Sequence, residues 1–408
     1  MNIGLRPRTV LRPSVVSMAA VCASFGAWLF PSFGFLRKGF DTAARFELGG
    51  FVVLACWYLL IFVSFTVGEK LGGWIVPRRS APTEGLLDLN SNVIYYAFTF
   101  LSAIGIAATL YTIFRLLSVQ QAMVLIVLGQ ANELKDALYE DYSTGFVSLR
   151  YVVLYPASLA LYRIIRFRSF APVNLFNVLM LAVSALLLGS RLTLIATLLT
   201  LTLLLSFGKR STRINVAKLA ALSTVLFLVL ALLNYSRNKD YYERNKLSFG
   251  LAGVSEIIAY LGGPFQVAIG SAPSTDKLAA GGDQTYRDLV DVEINLNTNS
   301  AFVRLHEQLG YVSWPYIATI CLFMGLVFGA LTSLGKTVFL LPCGAILYGS
   351  AELWRLDLFQ QGIFIVWFVI GIGLPAFLIG SQRLLAFIGD ARGLSRSGYR
   401  IPRRQGSG

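Results

Sequence analysis

The chain has 408 residues, of which 56% are hydrophobic and 14% charged, and its mean hydropathy is +0.66. Soluble domains carry nearly twice that share of charge, so the composition excludes an ordinary soluble protein and indicates a multi-pass helical membrane protein. The net charge of +14 does not by itself indicate a nucleic-acid partner, because basic residues in membrane proteins commonly reflect orientation in the bilayer.

Apolar runs of membrane-spanning length follow one another along the chain, and they predict an all-α polytopic protein with about ten transmembrane helices. The first run follows three arginines and lacks a small-residue cleavage site, so we expect an uncleaved span instead of a secretory signal. The ninth run is the shortest. The predicted spans are 14–35, 48–67, 93–117, 146–162, 172–188, 192–207, 214–234, 311–334, 338–350 and 362–380.

The four cysteines do not indicate a disulfide framework. Each lies inside an apolar run, and we interpret them as small core residues: Cys22, Cys56, Cys321 and Cys343.

Charge alternates between the segments that connect these spans. With the N-terminus inside, the inner segments hold 20 of the 35 Lys and Arg residues but only four of the 21 acids. Lys and Arg accumulate on the cytoplasmic side of membrane proteins, so both termini are predicted to be cytoplasmic. The positive charge is thereby explained by topology, and we expect no nucleic-acid partner.

The only long polar stretch is 235–310, which this topology places outside the cytoplasm. We predict one integral membrane domain, 1–408, with 235–310 as an extracytoplasmic loop of short helices and 381–408 as a basic cytoplasmic tail. Within the loop, 251–270 is predicted to be an interfacial helix closed by a turn at 262–264. The outer segment 119–145 is either an interfacial helix or a surface loop.

Gly189, Ser190 and Arg191 interrupt a long apolar run between the fifth and sixth spans. An unpaired arginine is costly inside a membrane. Arg191 is therefore either a turn residue whose side chain reaches the head groups or an arginine that binds an anion in a cavity.

The G-S-R sequence before an apolar span, the long late loop, and N-T-N-S-A-F-V-R-L-H-E-Q-L-G-Y-V-S-W-P-Y-I-A before a glycine-rich span together resemble the O-antigen polymerase family. The resemblance covers roughly 172–334. It implies a GT-C-like fold in the bacterial inner membrane and a glycosyltransferase that needs neither metal nor cofactor. It also implies a polyprenyl-diphosphate-linked oligosaccharide as substrate, with a chain-length regulator and a flippase of the same pathway as possible partners.

The predicted chemistry requires cations for the diphosphate leaving group and an acceptor that orients the attacking hydroxyl. Arginine forms several fixed hydrogen bonds to phosphate oxygens. The arginines that the topology places outside are Arg191, Arg237, Arg244, Arg287, Arg304 and Arg355. Candidates for the base are the only histidine, His306, and the carboxylates Glu307, Glu293 and Asp291. Tyr235 and other loop tyrosines would stack on sugars or form part of an interfacial aromatic belt.

Several alternatives stay open at this stage. An O-antigen ligase uses the same donor and differs in its acceptor. A lipid-linked glycosyltransferase with an acidic pair in its first outer loop has only Asp41 and Glu47 available here, although the D-V-E triplet 291–293 leaves a divalent ion possible. A transporter of lipid-linked sugar would place its charged site near the bilayer midplane.

Overall fold

The computed structural model describes residues 7–29, 47–76, 92–118, 120–121, 124, 145–187, 191–207, 224, 228, 249–281, 285–290, 299–334 and 337–397. Regular structure in these ranges is entirely helical. The α-helices are α1 (Pro7–Val10), α2 (Pro13–Trp28), α3 (Leu48–Ile75), α4 (Asn92–Leu116), α5 (Leu154–Phe167), α6 (Pro172–Leu187), α7 (Arg191–Phe207), α8 (Phe249–Ser271), α9 (Thr275–Gly281), α10 (Tyr286–Leu289), α11 (Ala301–Leu309), α12 (Ser313–Ser333), α13 (Leu340–Glu352) and α14 (Gly362–Ser397).

Four segments of the described chain are long and apolar enough to cross a membrane: Leu48–Ile75, Asn92–Leu116, Ala301–Ser333 and Gly362–Ser381. Three shorter apolar helices accompany them: Pro13–Trp28, Pro172–Ala185 and Leu192–Phe207. The prediction of an all-α protein is thereby confirmed for the described residues, and four candidate membrane spans support the membrane prediction. The count of about ten spans and the GT-C-like arrangement stay predictions, and the expected span 214–234 lies outside the described residues except for 224 and 228.

Helices α3 and α12 make the most extensive helix pair. Gly68 of α3 lies against the carbonyl of Leu322, and Gly72, one turn later, lies against that of Leu326. The contact advances in the same sense along both helices, so they run parallel, as expected for the second and eighth spans of an alternating topology. Small residues allow backbones to approach closely, which stabilises helix pairs in lipid, where the hydrophobic effect between helices is weak.

Helices α4 and α6 are joined by polar side chains in their buried faces. The hydroxyl of Tyr95 donates to Oδ1 of Asn174 over 2.7 Å, and Nδ2 of Asn177 donates to Oγ1 of Thr99 over 2.9 Å. These pairs also advance together, so α4 and α6 run parallel, as predicted for the third and fifth spans. Buried amides and hydroxyls in a membrane protein must find internal partners, and here they fix the register of the pair.

Helix α13 is the centre of the bundle. It packs against α2, α7, α12 and α14, and residues 340–350 are buried on every side. A helix of 13 residues is about 20 Å long, which is shorter than the hydrocarbon layer of roughly 30 Å. Uniform burial explains why this short run is apolar all round, and it identifies α13 as a core helix that positions the residues following it.

The predicted turn at 262–264 is wrong. Helix α8 continues through Pro264 to Ser271 instead of ending there, and 262–269 are buried. A Cβ on Gly262 would lie 3.2 Å from the carbonyl oxygen of Ala27 in α2, and Trp28 donates its indole N–H to Gln266 over 2.7 Å. Gly262 therefore allows α8 and α2 to pack closely, and the glycine–proline sequence at 262–264 does not mark a turn.

The predicted span 146–162 is also different in the structure. Residues 146–153 form a 3-10 helix, and α5 begins only at Leu154. Pro156 lies in the first turn of α5, where its missing N–H leaves no hydrogen bond unmade, so the proline favours a helix start at this point.

One further expectation needs correction. Cys22 and Cys56 are exposed on α2 and α3, whereas Cys321 and Cys343 are buried core residues. The predicted span 362–380 agrees with the candidate span Gly362–Ser381, and helix α14 continues beyond it to Ser397.

Candidate functional site

A small, partly open depression lies where α11 meets the connection between α13 and α14. We name it the Arg304–Asp357 depression. It combines one cation, one carboxylate, three amides and a few apolar side chains; its lining is Ala301, Arg304, Leu305, Gln308, Leu356, Asp357, Gln360 and Gln361. The depression brings the end of the predicted loop, 235–310, next to the predicted outer segment between the last two spans.

Asp357 is held in one orientation at this depression. Its Oδ2 accepts a hydrogen bond from the hydroxyl of Tyr316 over 3.0 Å, and its Oδ1 accepts from the backbone N–H of Phe359, also over 3.0 Å. The second bond caps the 3-10 turn Leu358–Gln360, which explains why the side chain turns back towards its own chain. The carboxylate is therefore positioned from two separate elements.

Burial raises the pKa of Asp357 above its ordinary value. The hydrogen bonds from Tyr316, Phe359 and Gln360, and the positive charge of Arg304, each act in the opposite sense but do not cancel this effect. A carboxylate with a raised pKa binds a proton more readily at neutral pH, which suits a general base.

Arg304 lies on the exposed face of α11, one turn before Gln308. Its positive charge lowers the pKa of Asp357, yet no ion pair within 4 Å joins the two side chains in the described part of the chain. Arg304 lines the depression, so an anionic group of a ligand bound there would lie within reach of its guanidinium donors. The role of Arg304 in binding diphosphate stays a prediction.

His306 faces away from the depression into the core and is fully buried. Its Nδ1 is 2.7 Å from the carbonyl oxygen of Phe302, and its Nε2 accepts the indole N–H of Trp314 over 3.1 Å. The Trp57 ring packs on it with centroids 5.2 Å apart. Both ring nitrogens are occupied and the imidazole is neutral, with its proton on Nδ1. This position argues against the expected role as base and makes His306 part of the scaffold that holds α11.

Glu307 is buried between α11 and α10. Its Oε1 accepts the backbone N–H of Tyr286 over 3.2 Å. The guanidinium of Arg287 lies over the Tyr286 ring, 5.4 Å from its centroid. Burial raises the pKa of Tyr286, and the charge of Arg287 opposes that change. These residues form a second polar cluster that docks α10, and neither Glu307 nor Arg287 lines the depression.

Arg355 is bound to Glu352. Its Nη2 and Nε donate to the same oxygen, Oε2 of Glu352, over 2.7 and 3.0 Å, and its guanidinium lies 4.9 Å from the centre of the Tyr260 ring. Burial alone would lower the pKa of Arg355, but the charge of Glu352 raises it above its ordinary value. The predicted anion-binding arginine is thus already paired, and it joins α8 to the end of α13.

The remaining predicted residues can be placed only in part. Arg191 is the first residue of α7, at the start of an apolar helix as the sequence suggested. The others lie outside the described residues: Tyr235, Arg237, Arg244, Asp291 and Glu293.

Asp357 was missed by the sequence reasoning, although a signal for it exists. The segment E-L-W-R-L-D-L-F-Q-Q-G concentrates polar residues between two apolar runs, on the same predicted side as the long loop. Arg355 was considered there, but the acid two residues later and the two glutamines were not. Polar residues in the other connections on the same side of the membrane as the long loop should be considered, together with the loop, as candidate site residues.

Among the described residues, no group of three or more His, Cys, Asp or Glu side chains lies close enough to hold a metal ion. The depression instead presents an exposed guanidinium, an oriented carboxylate and amide groups. Such a set can bind an anion, accept a proton from a hydroxyl and form hydrogen bonds to several other hydroxyls.

No protein-family model, curated protein or solved structure matches the chain. The function proposed for it therefore depends on the chemistry of its own residues.

Proposed function

We propose that the protein is an inner-membrane glycosyltransferase that joins polyprenyl-diphosphate-linked oligosaccharide repeat units into a surface polysaccharide on the outer side of the bilayer. The observation that supports this most directly is the Arg304–Asp357 depression, where a cation without an ion pair in the described structure and an oriented carboxylate share one open surface. Arg304 came from the predicted list, whereas Asp357 replaces His306 as the proposed base.

In the proposed reaction, a hydroxyl of the acceptor sugar attacks the anomeric carbon of the donor. The bond between that carbon and the diphosphate oxygen breaks, and the lipid diphosphate leaves with the electron pair. Asp357 takes the proton from the attacking hydroxyl, and Arg304 stabilises the negative charge on the leaving group. Gln308, Gln360 and Gln361 supply amide groups for sugar hydroxyls.

The resemblance to O-antigen polymerases supports this choice of donor, since a reaction outside the cytoplasm has no nucleotide sugar available. The depression lies where α12 and α14 begin, at the end that the charge distribution assigns to the outer side. A carrier would require its charged site nearer the middle of the helices, so the position favours a transferase over a transporter.

The test is to incubate the purified full-length protein in detergent with a lipid-linked repeat unit as the only substrate and to separate the products by length. The expected result is a ladder of products that still forms in the presence of a chelator, since proton transfer to Asp357 and charge stabilisation by Arg304 need no metal. Absence of a ladder, with transfer only when lipid A is added, would identify a ligase. Loss of the ladder with chelator and its recovery with a divalent ion would contradict the metal-independent mechanism.

A further inference from the structure

Arg150 is a buried arginine that no part of the proposed reaction uses. It lies in the 3-10 segment 146–153 and is only 2% exposed. Its Nη2 donates to the hydroxyl of Tyr151 over 2.8 Å, whereas Nε and Nη1 have no hydrogen-bond partner. Nε and Nη1 together carry three N–H groups. Arginine keeps its charge at any biological pH, so the described structure holds a buried cation with most of its donors unmatched.

The segment that carries Arg150 is pressed against the middle of α4. A Cβ on Gly105 would meet the backbone of Leu149 and Arg150, so only glycine permits this approach. Gly105 is roughly 20 Å from the start of α4 and roughly 16 Å from its end, at 1.5 Å per residue. The backbone of Arg150 therefore lies beside the middle of a helix of membrane-spanning length, at a depth where an unmatched charge is especially costly.

Two hydrogen bonds fasten this segment to α14. Trp367 donates its indole N–H to the carbonyl oxygen of Tyr151 over 2.6 Å, and Tyr155 donates its hydroxyl to the carbonyl oxygen of Trp367, also over 2.6 Å. Both bonds lie on the C-terminal side of Arg150, at Tyr151 and Tyr155, and they hold the backbone next to Arg150 against α14. The guanidinium also lies 4.7 Å from the centre of the Tyr151 ring, a contact that leaves the N–H groups on Nε and Nη1 available to the acceptor atoms of a ligand.

We propose that Arg150 is the anchor of an internal anion site that binds a phosphate group between α4, α14 and the 146–153 segment. A phosphate has enough acceptor oxygens to satisfy all three unmatched N–H groups and supplies the charge that the buried guanidinium lacks. The group can belong to a lipid head group or to free phosphate. The site is separate from the Arg304–Asp357 depression, and the inference does not depend on transferase activity.

The experiment compares thermal unfolding of the wild-type protein with that of Arg150→Met in uncharged detergent. Inorganic phosphate and phosphatidylglycerol are the two probes. The wild type is expected to show a rise in Tm with at least one probe, and Arg150→Met is expected to bind that probe at least tenfold more weakly. A response to inorganic phosphate alone indicates a soluble anion, and a response to phosphatidylglycerol alone indicates a lipid head group. Arg166→Gln, an exposed arginine on α5, is the matched control and should respond as the wild type does.

The variant also has a second readout that a purely structural arginine would not give. Without any probe, Arg150→Met should unfold at the same temperature as the wild type or a higher one, because it replaces an unmatched buried charge with an apolar side chain of similar length. A lower Tm for Arg150→Met without probe, together with a probe response equal to that of the wild type, would overturn the proposal. So would a wild-type protein that responds to neither probe. If Arg150→Met does not fold, Arg150→Lys is measured with the same probes, and an undiminished response would contradict a site that depends on the guanidinium donors.

Discussion

The hydroxyl of Tyr316 in α12 donates a hydrogen bond to Oδ2 of Asp357, 41 residues later in the chain, over 3.0 Å. This bond joins a membrane-length helix to the connection that lines the depression, so the orientation of the carboxylate depends on how α12 is placed. Tyr316 is accordingly a positioning residue for Asp357.

Asp357→Asn should lower polymer formation by about a hundredfold or more, because asparagine cannot accept the proton of the attacking hydroxyl. Turnover of the wild type should fall on the acid side at a pH above that of an ordinary aspartate, since burial raises the pKa of Asp357. Initial rates over a pH series would measure both effects. Tyr316→Phe should lower turnover less, and it should move the acid limb of the pH profile to higher pH, because the hydrogen bond from Tyr316 lowers the pKa of Asp357. Asp288→Asn, at an exposed acid of α10, is the control. Full activity in Asp357→Asn would remove the base assignment.

The same carboxylate should make stability depend on pH. The folded-state pKa of Asp357 is raised above the unfolded value of about 3.9. Its stabilising contribution is thus fully present below that pH and is lost as pH rises through the folded value. We expect the Tm of the wild type to decline relative to that of Asp357→Asn over this window, as measured by thermal unfolding in detergent. A Tm difference that stays constant with pH would show that Asp357 does not titrate as described.

Arg304→Gln should reduce transfer by about ten- to a hundredfold, because it removes a charge-assisted contact to the diphosphate worth roughly 1.5–3 kcal/mol. Arg304→Lys keeps the charge but loses the fixed set of donors, so it should recover only part of the activity. The amount of protein in the membrane should not change, since Arg304 is exposed. Equal loss of activity in Arg166→Gln would point to general destabilisation instead.

Arg355→Met should act on stability, in contrast to Arg304. It leaves Glu352 buried without its cation, which costs about 3–5 kcal/mol, and should lower the Tm and the yield of folded protein. Replacing both partners, Arg355→Met with Glu352→Met, should restore most of the loss. Thermal unfolding of the two single variants and the double variant forms the required cycle. Additive losses in the double variant would show that the two side chains do not act as a pair.

His306→Ala should destabilise the protein by about 2–4 kcal/mol, because it empties a packed site beside Trp57 and leaves the Trp314 indole without its acceptor. The pH profile of the remaining activity should keep the shape of the wild type. A profile that loses a titration near neutrality in His306→Ala, with an unchanged Tm, would return the role of base to this histidine.

The sequence predicted the helical class and the positions of the four helices that are long and apolar enough to cross a membrane, because these follow from length and apolarity, which are local properties. It did not predict how helices are paired. Gly262 marks a contact between α8 and α2 and not a turn, and α13 is apolar because neighbours surround it and not because it faces lipid. The local sequence is the same whether a glycine serves a turn or a helix contact, and whether an apolar helix faces lipid or the core. Only the neighbouring helix distinguishes these cases.

Only part of the candidate site was predicted from the sequence. Arg304 was identified because an arginine in the polar stretch matches a required chemistry. Asp357 was missed because the polar residues between the last two spans were not considered together with the loop, and its orientation depends on partners that only the structure shows. Arg150, outside this site, could not be selected because its importance arises from burial and from the hydrogen-bond partners that it lacks. His306 was selected for its side-chain type, yet its two hydrogen bonds and its burial give it a different role.

The glycine contact between α3 and α12 also has a consequence for how the protein is made. About 250 residues separate Gly68 from Leu322, its contact in α12, so a ribosome adding 5–20 residues per second completes α12 roughly 13–50 s after α3. Throughout that interval α3 resides in the bilayer with its glycine face towards lipid or a temporary neighbour. Helix α12 directly follows α11, which lines the depression, so this side of the site is placed late in biosynthesis. The other side includes Gln361, so the site cannot be complete until synthesis is nearly finished.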